Sequence, residues 1–337
     1  MVVIMVTQKE IADRLNVSRT TVARALKDNT SIKPGTREKI LSLAKELGYS
    51  KNAIGSFLAS KNNKSIYAFI VKSVNENYSL EIKRGLNDIS DELKNYNFTI
   101  QIIETDINFP EDQIKKLKEV IKNNNPAGII LIPLIKPKIK TIIEKNKSIK
   151  FITLDIPIDS TVFHVGGNYL KSGKMSANII SSVLRKKEKI LILDTNDDKI
   201  SSKQYLEGFY NTIKEKEMNV IGPIYIENLL KNSDLIKNTY LSSDIKALYS
   251  SRYLPELVEF INRKIPNHKL LIVGNGMSSS ISQLIKEEIM IATVKEKHYE
   301  QGYFSGKFMF TFLYETQPKN INEYIINSEI IFKENLR

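Results

Sequence analysis

Through the first 47 residues apolar positions recur at helical spacing, and beyond residue 65 they gather into short continuous runs, so the chain divides in two. Ile11, Ala12 and Leu15 share one face of a short predicted helix that Thr7 and Glu10 open in the capping-box spacing. Asn16-Val17-Ser18 then predict a tight turn, because Asn tolerates left-handed backbone, Val fills the angle between two helices and Ser caps the next one. A second helix over 19–27 turns Val22, Ala25 and Leu26 inward and leaves Arg19, Thr20 and Arg24 outward. A third starts near Pro34, carries Ile40, Leu43, Ala44 and Leu47 on one stripe, and stops at Gly48. Two short helices crossed at a capped turn and braced by a third make a helix-turn-helix unit, whose second helix is shaped to enter a major groove.

After the polar run Lys61-Asn62-Asn63-Lys64-Ser65 the pattern changes. Apolar runs at 66–71, 98–103, 127–132 and 150–154 suit buried parallel strands, and they alternate with helical stretches at 79–94, 111–123 and 137–147. The alternation continues with helices near 169–185, 202–217, 253–264, 278–288 and 298–314, strands near 189–193, 219–225, 245–249, 269–274 and 289–294, and an extended end at 324–332. The predicted fold class is a small all-α headpiece joined to an α/β domain of two doubly wound parallel-sheet subdomains whose strand ends face a shared cleft.

Charge sharpens this division. The net charge is +12, and residues 1–64 hold 12 Lys and Arg against 5 Asp and Glu, so +7 of it lies in the small N-terminal part, where phosphates would be neutralised. The chain has no cysteine, which excludes a disulfide framework, a thiolate nucleophile and a Cys-based zinc site. No apolar run reaches the ~18 residues needed to cross a bilayer and no basic signal-peptide start is present, so the expectation is a cytoplasmic protein without membrane contact. His164, His268 and His298 are scattered, and no nucleophile elbow or phosphate loop is present; no enzyme, cofactor or metal site is expected.

The run Val6-Thr7, Ile11-Ala12, Val17-Ser18-Arg19-Thr20-Thr21-Val22, Arg24-Ala25-Leu26, then Thr36-Arg37-Glu38, Leu47-Gly48-Tyr49 and Asn52-Ala53-Ile54 resembles the DNA-binding headpiece of the LacI/GalR family of bacterial transcription regulators. The resemblance implies that Arg19 and Thr20 touch base edges, Arg24 reaches a base or phosphate, Thr7 and Ser18 anchor to the DNA backbone, and Lys27 adds a sequence-independent phosphate contact. It also implies a hinge helix from Asn52 to Ala59 that forms on operator DNA and wedges Leu58 into the minor groove. Lys51, Gly55 and Ser56 depart from the family's usual Pro, Ala and Arg. Because glycine costs about 1 kcal/mol relative to alanine in a helix, Gly55→Ala should tighten operator binding. The expected divisions are a headpiece over 1–49, hinge and linker over 50–65, and a sensing domain over 66–332.

The second part is similar to the type I periplasmic-binding-protein fold of the same family, through Glu81-Ile82-Lys83-Arg84-Gly85-Leu86, Ala127-Gly128-Ile129-Ile130-Leu131, Asn168-Tyr169, Gly173, Glu207-Gly208-Phe209, Ala292-Thr293-Val294 and Tyr299-Glu300-Gln301-Gly302-Tyr303. Family topology implies three crossings between subdomains, near 155–163, 289–295 and 318–324. One subdomain would then hold about 66–158 and 293–320, the other about 162–290 and 322–332. Against the sugar-sensing pattern Tyr205 replaces an Arg, Gly276 an Asp, Glu296 a Gln and Gly167 an Asp. Tyr78, Asn168, Tyr205, Asn275 and Glu296 remain as effector candidates, a set suited to a modified sugar or an amine-bearing ligand that Glu296 would pair. The expected partners are double-stranded operator DNA, a carbohydrate-like small molecule and a second copy of the chain, since the end at Arg337 leaves no room for a tetramer-forming heptad helix. Two alternatives stay open: a sensor that has lost its small molecule and answers to a protein partner, and a cleft enzyme fused to a headpiece.

Overall fold

The computed structural model describes residues 8–26, 32–47, 64–72, 76–194, 197, 199–225, 244–264, 269–314 and 321–336. The chain divides into a unit of residues 1–63 and a unit of residues 64–337. Thr7, Lys27, His268, the hinge over 52–59 and with it Asn52 and Leu58 lie outside the described residues.

In the first unit α1 (Gln8–Leu15), α2 (Arg19–Ala25) and α3 (Pro34–Glu46) enclose a small core of Ile11, Ala12, Val22, Ala25, Ile40 and Ala44. Leu15, Val17, Leu26, Leu43 and Leu47 close its margin. These are the apolar positions that the helical spacing predicts.

The second unit holds two six-stranded sheets. Its first elements are β1 (Lys64–Lys72), α4 (Glu76–Leu93), β2 (Phe98–Asp106), α5 (Pro110–Asn124), β3 (Gly128–Leu131), α6 (Lys136–Lys145), β4 (Lys150–Leu154) and β5 (Phe163–Gly167). There follow α7 (Tyr169–Val183), β6 (Lys189–Asp194), α8 (Ile200–Glu215), β7 (Asn219–Tyr225), β8 (Ile245–Ser250), α9 (Leu254–Lys264), β9 (Leu271–Asn275) and α10 (Ser279–Lys286). The chain then runs through β10 (Ala292–Lys295), α11 (His298–Tyr314), β11 (Glu323–Ile326) and β12 (Glu329–Ile331). The sheet orders are β11-β5-β4-β3-β1-β2 and β12-β10-β9-β8-β6-β7, with every pairing parallel except β10 with β12. Both sheets are apolar on both faces, as parallel sheets covered by helices must be: Tyr67, Phe69, Ile129 and Leu131 pack with Leu117 and Ile139, and Ile190, Ile192 and Ala247 pack with Ile180 and Phe209.

The crossings fall later than the sequence suggests. Strand β5 pairs with β4 and β11 in the first sheet, β10 belongs to the second, and β11 and β12 separate the final extended segment between both. The chain therefore passes between lobes at 168, 296–297 and 327–328 rather than near 155–163, 289–295 and 318–324. Phe163-His164-Val165-Gly166-Gly167 escaped recognition as a strand because two glycines and a histidine interrupt its apolar run.

One packing device recurs in the two lobes. Where α7 crosses α8, a Cβ on Gly173 would collide with the Tyr205 carbonyl and one on Gly208 with the Leu170 carbonyl. Where α4 crosses α11, Gly85 faces the Tyr299 carbonyl and Gly302 the Ile82 carbonyl in the same manner. Each pair of helices is thereby held backbone to backbone, which sets the direction in which the N-termini of α4, α7 and α8 meet the cleft.

Candidate functional site

The turn of the headpiece is built as its residues require. Asn16 adopts φ 51°, the Val17 N–H donates to the Ala12 carbonyl at 3.0 Å, and the Thr21 N–H donates to Ser18 Oγ at 3.0 Å. Ser18 thus satisfies one orphan donor of the first turn of α2. Arg19, Thr20 and Arg24 are exposed, while Val22 and Ala25 on the opposite side are fully buried. With no acidic residue in its first turn, α2 presents an N-terminus carrying unopposed partial positive charge, a favourable place for a phosphate. Ser18 Oγ is already engaged with both Thr21 N and Thr21 Oγ1, so it acts first as a helix cap.

In the larger unit polar side chains converge at the C-terminal ends of the strands. Tyr78, on the first turn of α4 after β1, donates to Asp155 Oδ2 at 2.7 Å. Asp155, directly after β4 with φ 63°, also receives the hydroxyl of Tyr169 from the start of α7. Burial lifts the Asp155 carboxyl to about 6, against the pull of the Tyr78 hydrogen bond and the Arg252 charge. Tyr169 meets Tyr205 edge to face at 5.2 Å, and the Arg252 guanidinium lies 6.0 Å from the Tyr205 ring centre. Arg252 follows β8 and directs Nη2 to Ser201 Oγ at 2.7 Å and Nε to Ser202 Oγ at 3.1 Å.

Glu296 and His298 follow β10. Glu296 is 2 % exposed, and burial raises it to about 7 even though the Tyr205 and Ser172 hydroxyls favour its ionised form. His298 stacks edge to face on Tyr78 at 4.8 Å, and burial together with the charges of Lys295 and Arg252 lowers it to about 3, so the ring is neutral at physiological pH. Asn275 ends β9 and accepts from the Tyr249 hydroxyl at 2.7 Å. Several buried polar atoms here have no hydrogen-bond partner: Glu296 Oε1, His298 Nδ1, Asn275 Nδ2 and both amide atoms of Gln301. Such orphans cost about 1–3 kcal/mol each unless a partner reaches them.

Residues 7–52 match the model of the bacterial regulatory proteins, lacI family, and residues 67–313 match that of the periplasmic binding protein domain. The chain therefore carries a lacI-family DNA-binding domain at its N-terminus and belongs, by the model that spans most of it, to the periplasmic binding protein domain family. Among its curated relatives, catabolite control protein A of Staphylococcus xylosus is 30% identical over 141 residues, 42% of this chain and 41% of that protein. The chain thus spans about two-fifths of the length of that relative. HTH-type transcriptional regulator pepR1 of Lactobacillus delbrueckii subsp. lactis is 22% identical across 98% of this chain and 97% of its own. Among solved structures, the periplasmic ribose ABC transporter protein of Conexibacter woesei aligns with TM-score 0.70 at 20% identity, covering 81% of this chain and 93% of that one. GanP, a glucose-galactose binding protein of Geobacillus stearothermophilus, gives 0.67 at 18% identity over 82% and 99%. At these identities the solved structures establish the fold.

Of the five effector candidates, Tyr78, Tyr205, Asn275 and Glu296 belong to the converging cluster. Asn168 does not: it is exposed, and its Oδ1 accepts from the Lys171 N–H at 2.8 Å as the N-cap of α7. Sequence reading missed Asp155, Tyr169, Arg252, His298 and Gln301. Four of them stand within three residues of a strand's C-terminal end, the place where open parallel sheets bind ligands; applying that rule to each strand in turn would have found them. Asp197, partly buried after β6, accepts from Ser202 Oγ at 3.2 Å. Among the described residues no helix is long and apolar enough to cross a membrane.

Proposed function

We propose that the chain is a sequence-specific DNA-binding transcription regulator, a repressor, whose operator affinity is set by a small carbohydrate-like effector held between the two lobes of its larger unit. Arg19 and Thr20 read base edges, Arg24 contacts a base or phosphate, Lys27 contacts phosphate, and Thr7, Ser18, Asn52 and Leu58 complete the grip and the minor-groove wedge. Two copies pair, so that two headpieces read a pseudo-palindromic operator.

The observation that carries this reading is the capped α2 with Arg19, Thr20 and Arg24 on its exposed face, in a chain that continues into a periplasmic-binding-protein domain. The naming of relatives as regulators supports it, and gives no support to the enzyme alternative. Effector binding acts by differential affinity: a ligand that prefers one arrangement of the lobes shifts the population competent for DNA by as much as that preference, and no more. Binding of the full chain to a promoter fragment, measured with Arg19→Ala beside the parent, tests it. Arg19→Ala should lose discrimination between promoter and scrambled duplex, and an unaltered preference would remove α2 as the reading helix.

A further inference from the structure

The reading of the inter-lobe cleft as the effector site can be carried to the chemistry of the effector. Asp155 is satisfied, since Tyr78 donates to one oxygen and Tyr169 to the other. Glu296 is not: its Oε1 is buried and without a partner. Among the described residues no Lys or Arg bonds that oxygen, although the Arg252 charge favours the ionised carboxylate. Lys295 pairs with Glu81 at 3.1 Å, Lys297 with Glu329 at 3.4 Å, and Arg252 reaches the Ser201 and Ser202 hydroxyls.

Gln301, 0 % exposed on α11, has neither amide atom bonded. It fronts the same spot as Glu296, because a Cβ on Gly167 would lie 3.3 Å from Gln301 Nε2 and 3.6 Å from Glu296 Cγ. Asn275 Nδ2 adds an unused donor and His298 Nδ1 an unused ring nitrogen. The open valences are therefore one carboxylate oxygen and one amide oxygen that want donors, two amide nitrogens that want acceptors, and a ring nitrogen that can serve as either.

We propose that this cleft is built for a sugar-like ligand that carries an ammonium group, seated with its N–H donors on Glu296 Oε1 and Gln301 Oε1 while its hydroxyls accept from Asn275 Nδ2 and Gln301 Nε2. The proposal rests on the reading of the cleft as an effector site. An ammonium suits this oxygen better than a neutral donor, because a charge-assisted bond is roughly twice as strong as a neutral one and an ammonium favours the ionised carboxylate that burial disfavours. A hydroxyl at the same spot meets the hydrogen bond without favouring the ionised form. The aromatic faces of Tyr78, Tyr169 and Tyr205 around it suit both the apolar face of a sugar ring and a nearby cation.

The test is calorimetric titration of the full chain at neutral pH with D-glucosamine, D-galactosamine and D-mannosamine beside D-glucose, D-galactose and D-mannose. The expected result is that at least one amine binds about tenfold or more tightly than its neutral parent. Glu296→Gln, which keeps the shape and removes the charge, should then cancel most of that difference. If the neutral parents bind as tightly as the amines, the ammonium proposal is overturned and the cleft stands as a plain sugar site. If none of the six binds, both the proposal and the carbohydrate reading of the cleft fall. The comparison of amine with parent on the unaltered chain needs no variant to fold.

Discussion

The Tyr78 hydroxyl donates to Oδ2 of Asp155 over 2.7 Å, and Tyr169 occupies the other oxygen of the same carboxylate. Tyr78 stands on a helix of the first lobe and Tyr169 on the helix that opens the second, so one buried carboxyl ties the two together. Tyr169→Phe removes one donor and leaves a buried carboxylate oxygen unpaired, for a cost of about 1–3 kcal/mol. Thermal unfolding of the variant beside the parent checks this, and an unchanged Tm would show that the bridge contributes nothing.

A pH dependence follows from Glu296, which burial lifts from 4.5 to about 7. A carboxyl that holds its proton more tightly folded than unfolded contributes stability that is complete below the unfolded value and is lost as pH rises through the folded one. Glu296→Gln removes this loss. Relative to the parent it should therefore gain stability between pH 5 and pH 8, by up to about 3 kcal/mol at 1.36 kcal/mol per unit. Neutral His298, held down to about 3, works in the opposite direction in both proteins and cancels from the difference. Urea unfolding at the two pH values would contradict the account if parent and variant ran parallel.

The glycine crossings make a sharp pair of outcomes. Gly208→Ala drives a methyl into the Leu170 carbonyl, where backbone must move, and should cost about 1–3 kcal/mol. In α3, Gly35 has nothing within 4 Å of the added methyl, so Gly35→Ala should be neutral or stabilising by up to about 1 kcal/mol. Equal effects at both positions in denaturant unfolding would show that close helix approach is not what the glycines serve.

In the headpiece, Ser18→Ala removes the acceptor for the Thr21 N–H and should cost about 1 kcal/mol of local stability. Hydrogen exchange at the Thr21 amide reads this directly: faster exchange is expected, and unchanged protection would mean the cap is dispensable.

Much of this was legible beforehand because local chemistry and global fold agree. Asn16 takes its left-handed turn, Ser18 its cap and Pro34 the first position of α3, each for a reason carried by the residue itself. Strand β5 and the lobe crossings were not legible, because sheet membership is decided by pairing partners distant in sequence, as when β11 joins β5 some 160 residues earlier. The cleft was half legible for the same reason. Tyr205 and Glu296 stood out as departures from a sugar-sensing pattern, whereas Asp155 and Tyr169 acquire meaning only through each other. Asn168 carried a plausible amide at a plausible position, but a residue at the start of a helix has a nearer use for its oxygen, the Lys171 amide.

The central claim is that a capped, positively charged headpiece reads DNA sequence under control of a two-lobed receptor. Selection of duplexes from a fully randomised pool by the full-length chain, at moderate ionic strength, tests it most directly. Enrichment of a pseudo-palindromic site, with information lost at a defined base pair in each half when Arg19→Ala is used, is the predicted result. A pool that returns without any enriched sequence would contradict it.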